Sequence, residues 1–358
     1  MRARWMVWIL AGCTLSFTAC SSLTVCRQGK FERFFVWSMP VTEELAMFSA
    51  ELGVTDVVVS HGNRRQKELA KQHHFRMYPC ITPSVALWKR YHQDSVAPLQ
   101  VMLPEEEAIH KFRWIDKAEG TLNPSHYGGE PLFDPSSGRY LADPLGTRLL
   151  CLSHPEVRTV FEKQISEYCA ISEYDGIAFD FIGYMNGRGC YCEHCRQLYQ
   201  QYLEQSGKAD SGAAQDAFYL RQLVDFCNDM HRFIKEKRPD MLTTSHLYPV
   251  FLPEPLYGHL LEYDFVQETA AWYFPWNEEK ILDYSRVISG YPGGVHFIGY
   301  YEHAKRPVFP EKNAARVELE LETMLRGGAR HLSVCGFQDV LENPGIRMAF
   351  KKYIRGAK

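Results

Sequence analysis

Two groups of residues in one short segment have the types and spacing to do chemistry. From Tyr174 to Cys195 the chain reads YDGIAFDFIGYMNGRGCYCEHC. After Gly176, the large apolar Ile177, Phe179 and Phe181 alternate with Ala178 and Asp180, a run short enough for a buried parallel strand. Asp180 falls near the carboxyl end of that strand, where a parallel barrel keeps its active site. Three cysteines follow, spaced C-x-C-x-x-C at Cys190, Cys192 and Cys195, and then a helix pattern from Arg196 closed by Gly207. A strand-end carboxylate can serve as nucleophile, base or acid. Three neighbouring thiols can ligate a metal or oxidise in pairs. The plainer reading is a core strand whose Asp caps a loop, followed by structural cysteines.

The elements that must position these groups form a regular series. Strands are expected at Phe34–Ser38, Asp56–Ser60, Arg76–Ile81, 176–181, Met241–His246, Asp264–Glu268, Val295–Tyr300 and His331–Cys335. Amphipathic helices separate them, with Thr42 as N-cap of the first and Ser153 capping one from Pro155 to Ser172. Between Pro83 and Leu150 the rhythm breaks into scattered Pro, Gly, Tyr and Trp, with one helical stretch from Pro104 to Ile115. Eight strands alternating with helices predict an α/β chain, a (β/α)8 TIM barrel with a long insertion after strand three, 83–150, at the barrel mouth. A doubly wound open sheet is the alternative, but the chain has no G-x-G-x-x-G or phosphate loop.

The remaining composition narrows partners and compartment. The chain has 358 residues, 46% hydrophobic, with a formal net charge of −3 and no basic stripe, which argues against nucleic acid. Residues 1–20 read as an export signal: Arg2 and Arg4, then an apolar run, then Phe17-Thr-Ala-Cys20. This resembles a bacterial lipoprotein signal with Cys20 lipidated. Leu10-Ala-Gly-Cys13 is a second candidate but leaves too short an apolar stretch before it. Residues 21–32 would be a tether and 33–358 the barrel, exported and lipid-anchored to the cell envelope, with the membrane touched through lipid alone. Of eleven cysteines, nine remain after Cys13 and Cys20, so complete internal pairing is impossible. No organic cofactor is called for.

If the barrel holds, strand ends present Trp37, His61, Asp180, His246, Glu268, Glu302 and Gln338. Tyr184, Trp272, Tyr273, Trp276, Tyr300 and Tyr301 follow close behind. Aromatics with carboxylates at one rim suit an oligosaccharide or polysaccharide, whose C–H faces stack on rings while its hydroxyls bond polar groups. Trp37, His61, Tyr184, His246, Trp272, Tyr273 and Tyr300 are therefore the expected substrate-binding residues. Cleaving a glycosidic bond takes two carboxyl groups. Asp180 is the expected nucleophile or charge-stabilising group and Glu268 the acid, with Glu302 the competing partner.

The segment YDGIAFDFIGY, preceded by Cys151-Leu-Ser-His-Pro-Glu-Val-Arg158 and followed by CYCEHCRQLYQQYL, resembles uncharacterised bacterial glycoside-hydrolase-like barrels. Such proteins are similar to α-galactosidase-type and family 42 β-galactosidase-type barrels. The first likeness implies that Asp180 is the nucleophile, with the acid near Glu268. Family 42 places a Glu after Asn on strand four, where this chain has Phe179-Asp180. The chitinase signature is approached at Asp175-Gly176 and Asp180, but Ala178 and Ile182 replace its middle Asp and catalytic Glu. The thiol spacing resembles an element that, with one distant cysteine, binds zinc in some family 42 barrels. That likeness implies a structural zinc on Cys190, Cys192, Cys195 and Cys151, with Cys80 or His194 as alternatives to Cys151. The expected function is a cell-surface or periplasmic glycoside hydrolase with a two-carboxylate mechanism. The alternative is a non-catalytic carbohydrate-binding lipoprotein on the same barrel.

Overall fold

The computed structural model describes residues 30–38, 40–101, 133–134, 139–140, 149–184, 189–247, 256–272, 276–305 and 311–354. The export signal with Cys13 and Cys20, most of the tether, the Pro104–Ile115 stretch and Tyr273 lie outside them. In chain order the strands are β1 (Arg33–Trp37), β2 (Asp56–Val59), β3 (Arg76–Ile81), β4 (Phe133–Asp134), β5 (Arg139–Tyr140) and β6 (Gly176–Phe179). They continue with β7 (Leu242–Leu247), β8 (Phe265–Ala271), β9 (Gly294–Gly299) and β10 (His331–Cys335). All but β4 and β5 close into an eight-stranded barrel in the order β1-β10-β9-β8-β7-β6-β3-β2. Every neighbouring pair is parallel, including the closing pair Arg33↔His331. The fold is thus the (β/α)8 barrel that the sequence rhythm implies, and β4 and β5 form a small antiparallel pair within the insertion.

Helices cover the outside. Thr42, Asn63 and Ser84 accept backbone N–H bonds at the starts of the Glu43–Glu51, Arg64–Gln72 and Val85–Tyr91 helices. The last lies where the sequence shows only irregular chain. At seven residues, with Leu87 and Trp88 buried, it is too short for its period to show. The Pro155–Cys169 helix starts after His154 with no side-chain cap, so Ser153 does not cap it; Pro155 in the first turn has no N–H to be satisfied. Between β7 and β8, among the described residues, the helical layer is only the turn Gly258–Leu260.

Alternation along each strand fills the interior in layers. At the closed end Arg33 Nε lies 3.3 Å from Asp56, which also accepts from Tyr78 Oη at 2.7 Å. Above it Phe35 packs on Phe265, with ring centroids 5.2 Å apart. Higher again, Trp37 Nε1 donates to Gln267 at 2.8 Å, and Gln267 donates to Thr244 at 2.8 Å. Gly176 permits this filling, because a Cβ there would meet the Tyr78 ring at 2.3 Å. Also at the closed end, Phe31 N–H bonds Tyr353 O at 2.9 Å, bringing the two ends of the described chain side by side.

Candidate active site at the barrel mouth

Asp180 leaves the end of β6, its N–H bonded to Ile81 O at 3.1 Å. Its side chain is 19% exposed, and His246 Nδ1, from β7, lies 3.7 Å from its Oδ1. His246 is itself buried. Its ring stacks on Phe297 with centroids 3.7 Å apart and planes 9° apart. Trp37 and Trp272 flank it, at 5.7 and 5.8 Å. Burial lowers the His246 pKa and the Asp180 carboxylate opposes that shift, so the neutral imidazole is the form expected near pH 7. Cys80 shares this wall; burial, then the Asp180 charge, push its thiol up. Phe181, directly after Asp180, has φ 56° and turns its N–H back onto Asp180 Oδ1 at 3.0 Å.

Glu268 is not at the mouth, a correction to its expected place as the acid. Gln267 points inward to Trp37 and Thr244, so by strand alternation its neighbour points outward. There Glu268 is fully buried in the helical layer, accepting from Gly258 N at 2.8 Å and Tyr291 Oη at 2.6 Å. Burial raises its pKa to about 7 against those donors. The folded protein therefore holds a proton that the unfolded chain has released between about pH 4.5 and 7. Stability should fall as pH rises through that window and stay at the lower value above it. Glu268→Gln, which keeps both partners, should remove this slope. It should leave stability near pH 4 unchanged and raise it above pH 7 by about 3 kcal/mol. Urea unfolding at a series of pH values measures this, and an unchanged slope would refute it.

Glu302 stands three residues past β9, half-buried. Asn343 Nδ2 and Tyr300 Oη reach its Oε2 at 2.7 and 3.2 Å, and its N–H bonds Asp339 at 3.0 Å. Nearby Lys305 pairs with Asp339 and Glu342. Three expected sugar contacts lie elsewhere. His61 sits against the outer helices, its Nδ1 2.8 Å from Tyr174 Oη and its ring 4.9 Å from Tyr168. Tyr184 is buried beside the thiols, its ring edge-on to Tyr219. Tyr300 is buried with its hydroxyl spent on Glu302. His61 and Tyr184 turn outward rather than in, while Tyr300 stands with Glu302 just past β9. Gln338 bonds Glu342 on the outer helix, and Trp276 packs under Lys280 at 4.1 Å.

Residues not singled out from sequence brace the mouth. Lys312, its side chain 2% exposed, donates to Trp272 O at 2.6 Å and Gly299 O at 3.0 Å, and lies 2.6 Å from Glu320. Glu320 also accepts from Arg316 Nε at 2.8 Å, and Arg316 bonds Trp276 O. This ion network ties Gly299 at the end of β9 to Trp272 and Trp276 after β8. Phe297 and Gln267 complete the floor. Gln267 lies in the inward register with Phe265, a signal that strand parity would have given.

Beside the mouth, the ligand atoms of Cys151, Cys190, Cys192 and Cys195 all lie within 4.8 Å of one another. Cys151 Sγ is 3.4 Å from Cys195 and 3.8 Å from Cys192. Hydrogen bonds from Cys151 and Cys195 hold the Cys190 thiol well below its usual range. Tetrahedral zinc with bonds of about 2.3 Å needs sulfurs about 3.8 Å apart, so four soft donors at this spacing fit the ion. Three are buried, a closed set suited to a structural metal. Cys80 lies in the barrel wall beside Asp180, and His194 Nε2 is engaged with Ser153 O at 3.0 Å.

The fold is that of solved glycoside hydrolases. No protein-family model matches the chain, and no curated protein matches its sequence. The glycoside hydrolase domain of PgaB (BpsB) from Bordetella bronchiseptica aligns at TM-score 0.57 and 12% identity, covering 91% of this chain and 99% of that one. A β-galactosidase from Marinomonas ef1 aligns at TM-score 0.55 and 9% identity, over 89% of this chain and 58% of that one. α-L-fucosidase isoenzyme 2 from Paenibacillus thiaminolyticus gives 0.53 and 13%, over 90% of this chain and 49% of that one. The chain thus spans about half the length of the last two. At these identities the likeness defines the barrel, and the chemistry rests on this chain's own residues.

Proposed function

We propose that the protein is a glycoside hydrolase acting on an oligosaccharide or polysaccharide at the open end of the barrel. The carrying observation is Asp180, its side chain partly exposed at the end of the fourth barrel strand, beside a buried His246 in an aromatic wall. Glycoside hydrolases among the solved barrels of this shape support the reading. The second carboxylate is Glu302, after the seventh barrel strand, with Tyr300 and Asn343 fixing its orientation. Asp180 takes the nucleophilic or charge-stabilising role and Glu302 the acid. Screening aryl glycosides and purified glycans tests this, with turnover by the wild type and none by Asp180→Asn expected. The outward turn of Glu268 also supports a second reading, a carbohydrate-binding barrel without hydrolysis. Glycan binding with no turnover by any variant would select it.

The four thiols would hold one structural zinc, tying chain segments together and supplying no catalytic step. Metal analysis of protein purified without chelator should find about one zinc per chain, lost on Cys195→Ala. A metal-free wild type would refute it. Lipid at Cys20 would anchor the protein to the envelope of a bacterial cell. Cys20→Ala should accumulate unprocessed precursor, and normal processing of that variant would refute the anchor.

A further inference from the structure

Phe181 occupies the left-handed region, φ 56°, which costs a bulky side chain about 1–3 kcal/mol and persists only where the surroundings fix it. That conformation is what turns the Phe181 N–H onto Asp180 Oδ1. Asp180 N–H bonds Ile81 O, and two residues past Phe181 the backbone is held at one junction. Gln100, buried, donates through Nε2 to Gly183 O at 2.8 Å and Leu150 O at 3.2 Å, while its N–H bonds Leu149 O. Cys151 N–H bonds Pro98 O at 2.8 Å, so the two stems of the insertion lie side by side. Val101 N–H then reaches Cys190 Sγ at 3.4 Å, and Tyr191 N–H returns to Val101 O at 2.7 Å.

The junction continues into the thiols at two points. Cys151 closes the second stem, Cys190 touches the first, and Cys192 and Cys195 open the helix that ends the Asp180 loop. We infer that the thiol cluster and Gln100 together clamp the strained Asp180–Phe181 turn, so that the state of the thiols governs how the Asp180 carboxylate is held. Gln100 is a positioning residue, acting through Gly183. The functional weight of the clamp rests on Asp180 being the working carboxylate; its existence does not.

Hydrogen exchange on the full-length, metal-replete protein tests it without a substrate. Gln100→Met and Cys192→Ala should each speed exchange at residues 181–184 on the order of tenfold, leaving strands β7 and β10 at wild-type rates. Gln100→Met should keep the wild-type metal and thiol content. The His246 ring should report the displaced carboxylate as a lowered NMR titration midpoint, because Asp180 is the group that raises it. If Cys192→Ala does not fold, p-hydroxymercuribenzoate added to the folded wild type opens the thiols for the same readout. Unchanged exchange at 181–184, or equal acceleration throughout the barrel, overturns the clamp. Failure of the hydrolase reading would show differently, as clamp release in a protein that cleaves no glycoside.

Discussion

Asp180→Asn should lower kcat by at least about a thousandfold on whichever glycoside the wild type cleaves, with sugar binding largely retained. The amide is nearly isosteric and its oxygen can still accept from Phe181 N–H, so the turn after β6 should stand. It cannot attack an anomeric carbon or hold charge against an oxocarbenium-like centre. His246 should lose the neighbour that raises its pKa and stay neutral over a wider range. Thermal unfolding close to wild type would separate this chemical loss from a folding defect. Undiminished turnover would remove Asp180 from the mechanism.

Lys312→Met carries the largest expected effect on stability. The ammonium is fully desolvated, and burial lowers its pKa while Glu320 opposes that shift. Methionine fills a similar volume but strips donors from the carbonyls of Trp272 and Gly299 and leaves Glu320, itself 0% exposed, with Arg316 alone. Breaking a buried pair in this way costs about 3–5 kcal/mol. Removing both charges, as Lys312→Met with Glu320→Leu, should recover most of that loss. Chemical denaturation of the two variants measures both numbers. A single variant within about 1 kcal/mol of wild type would show that the network is not holding the mouth.

The barrel was legible because its strands and helices differ in period, and eight repeats of that difference survive one irregular insertion. Every strand end but one could be read to within two residues, the exception being β8, which runs three residues beyond its expected end. Side-chain direction could not. In the segment Phe265-Val-Gln-Glu-Thr both faces of β8 are buried, so no polar alternation marks which way Glu268 points. A shift between Thr269 and Ala271 further disturbs the register there. His61 and Tyr184 were hidden in the same way, since a residue beyond a strand end is free to turn toward the helices. The Lys312–Glu320 pair left no trace in the sequence, because a lysine and a glutamate at eight residues' spacing read as an ordinary solvated helix face. The thiols were easier, since three of the four are packed into six residues and geometry alone brings them together.

The side-by-side arrangement of Phe31 and Tyr353 at the closed end bears on how the molecule would stand at a surface. Lys30 emerges beside them, at the opposite pole from Asp180. A chain held through the residues before Lys30 would therefore point its open pole away from its attachment. Any cargo fused after Ile354 would lie in the shadow of the barrel, on the attachment side, and leave the approach to the carboxylates unobstructed.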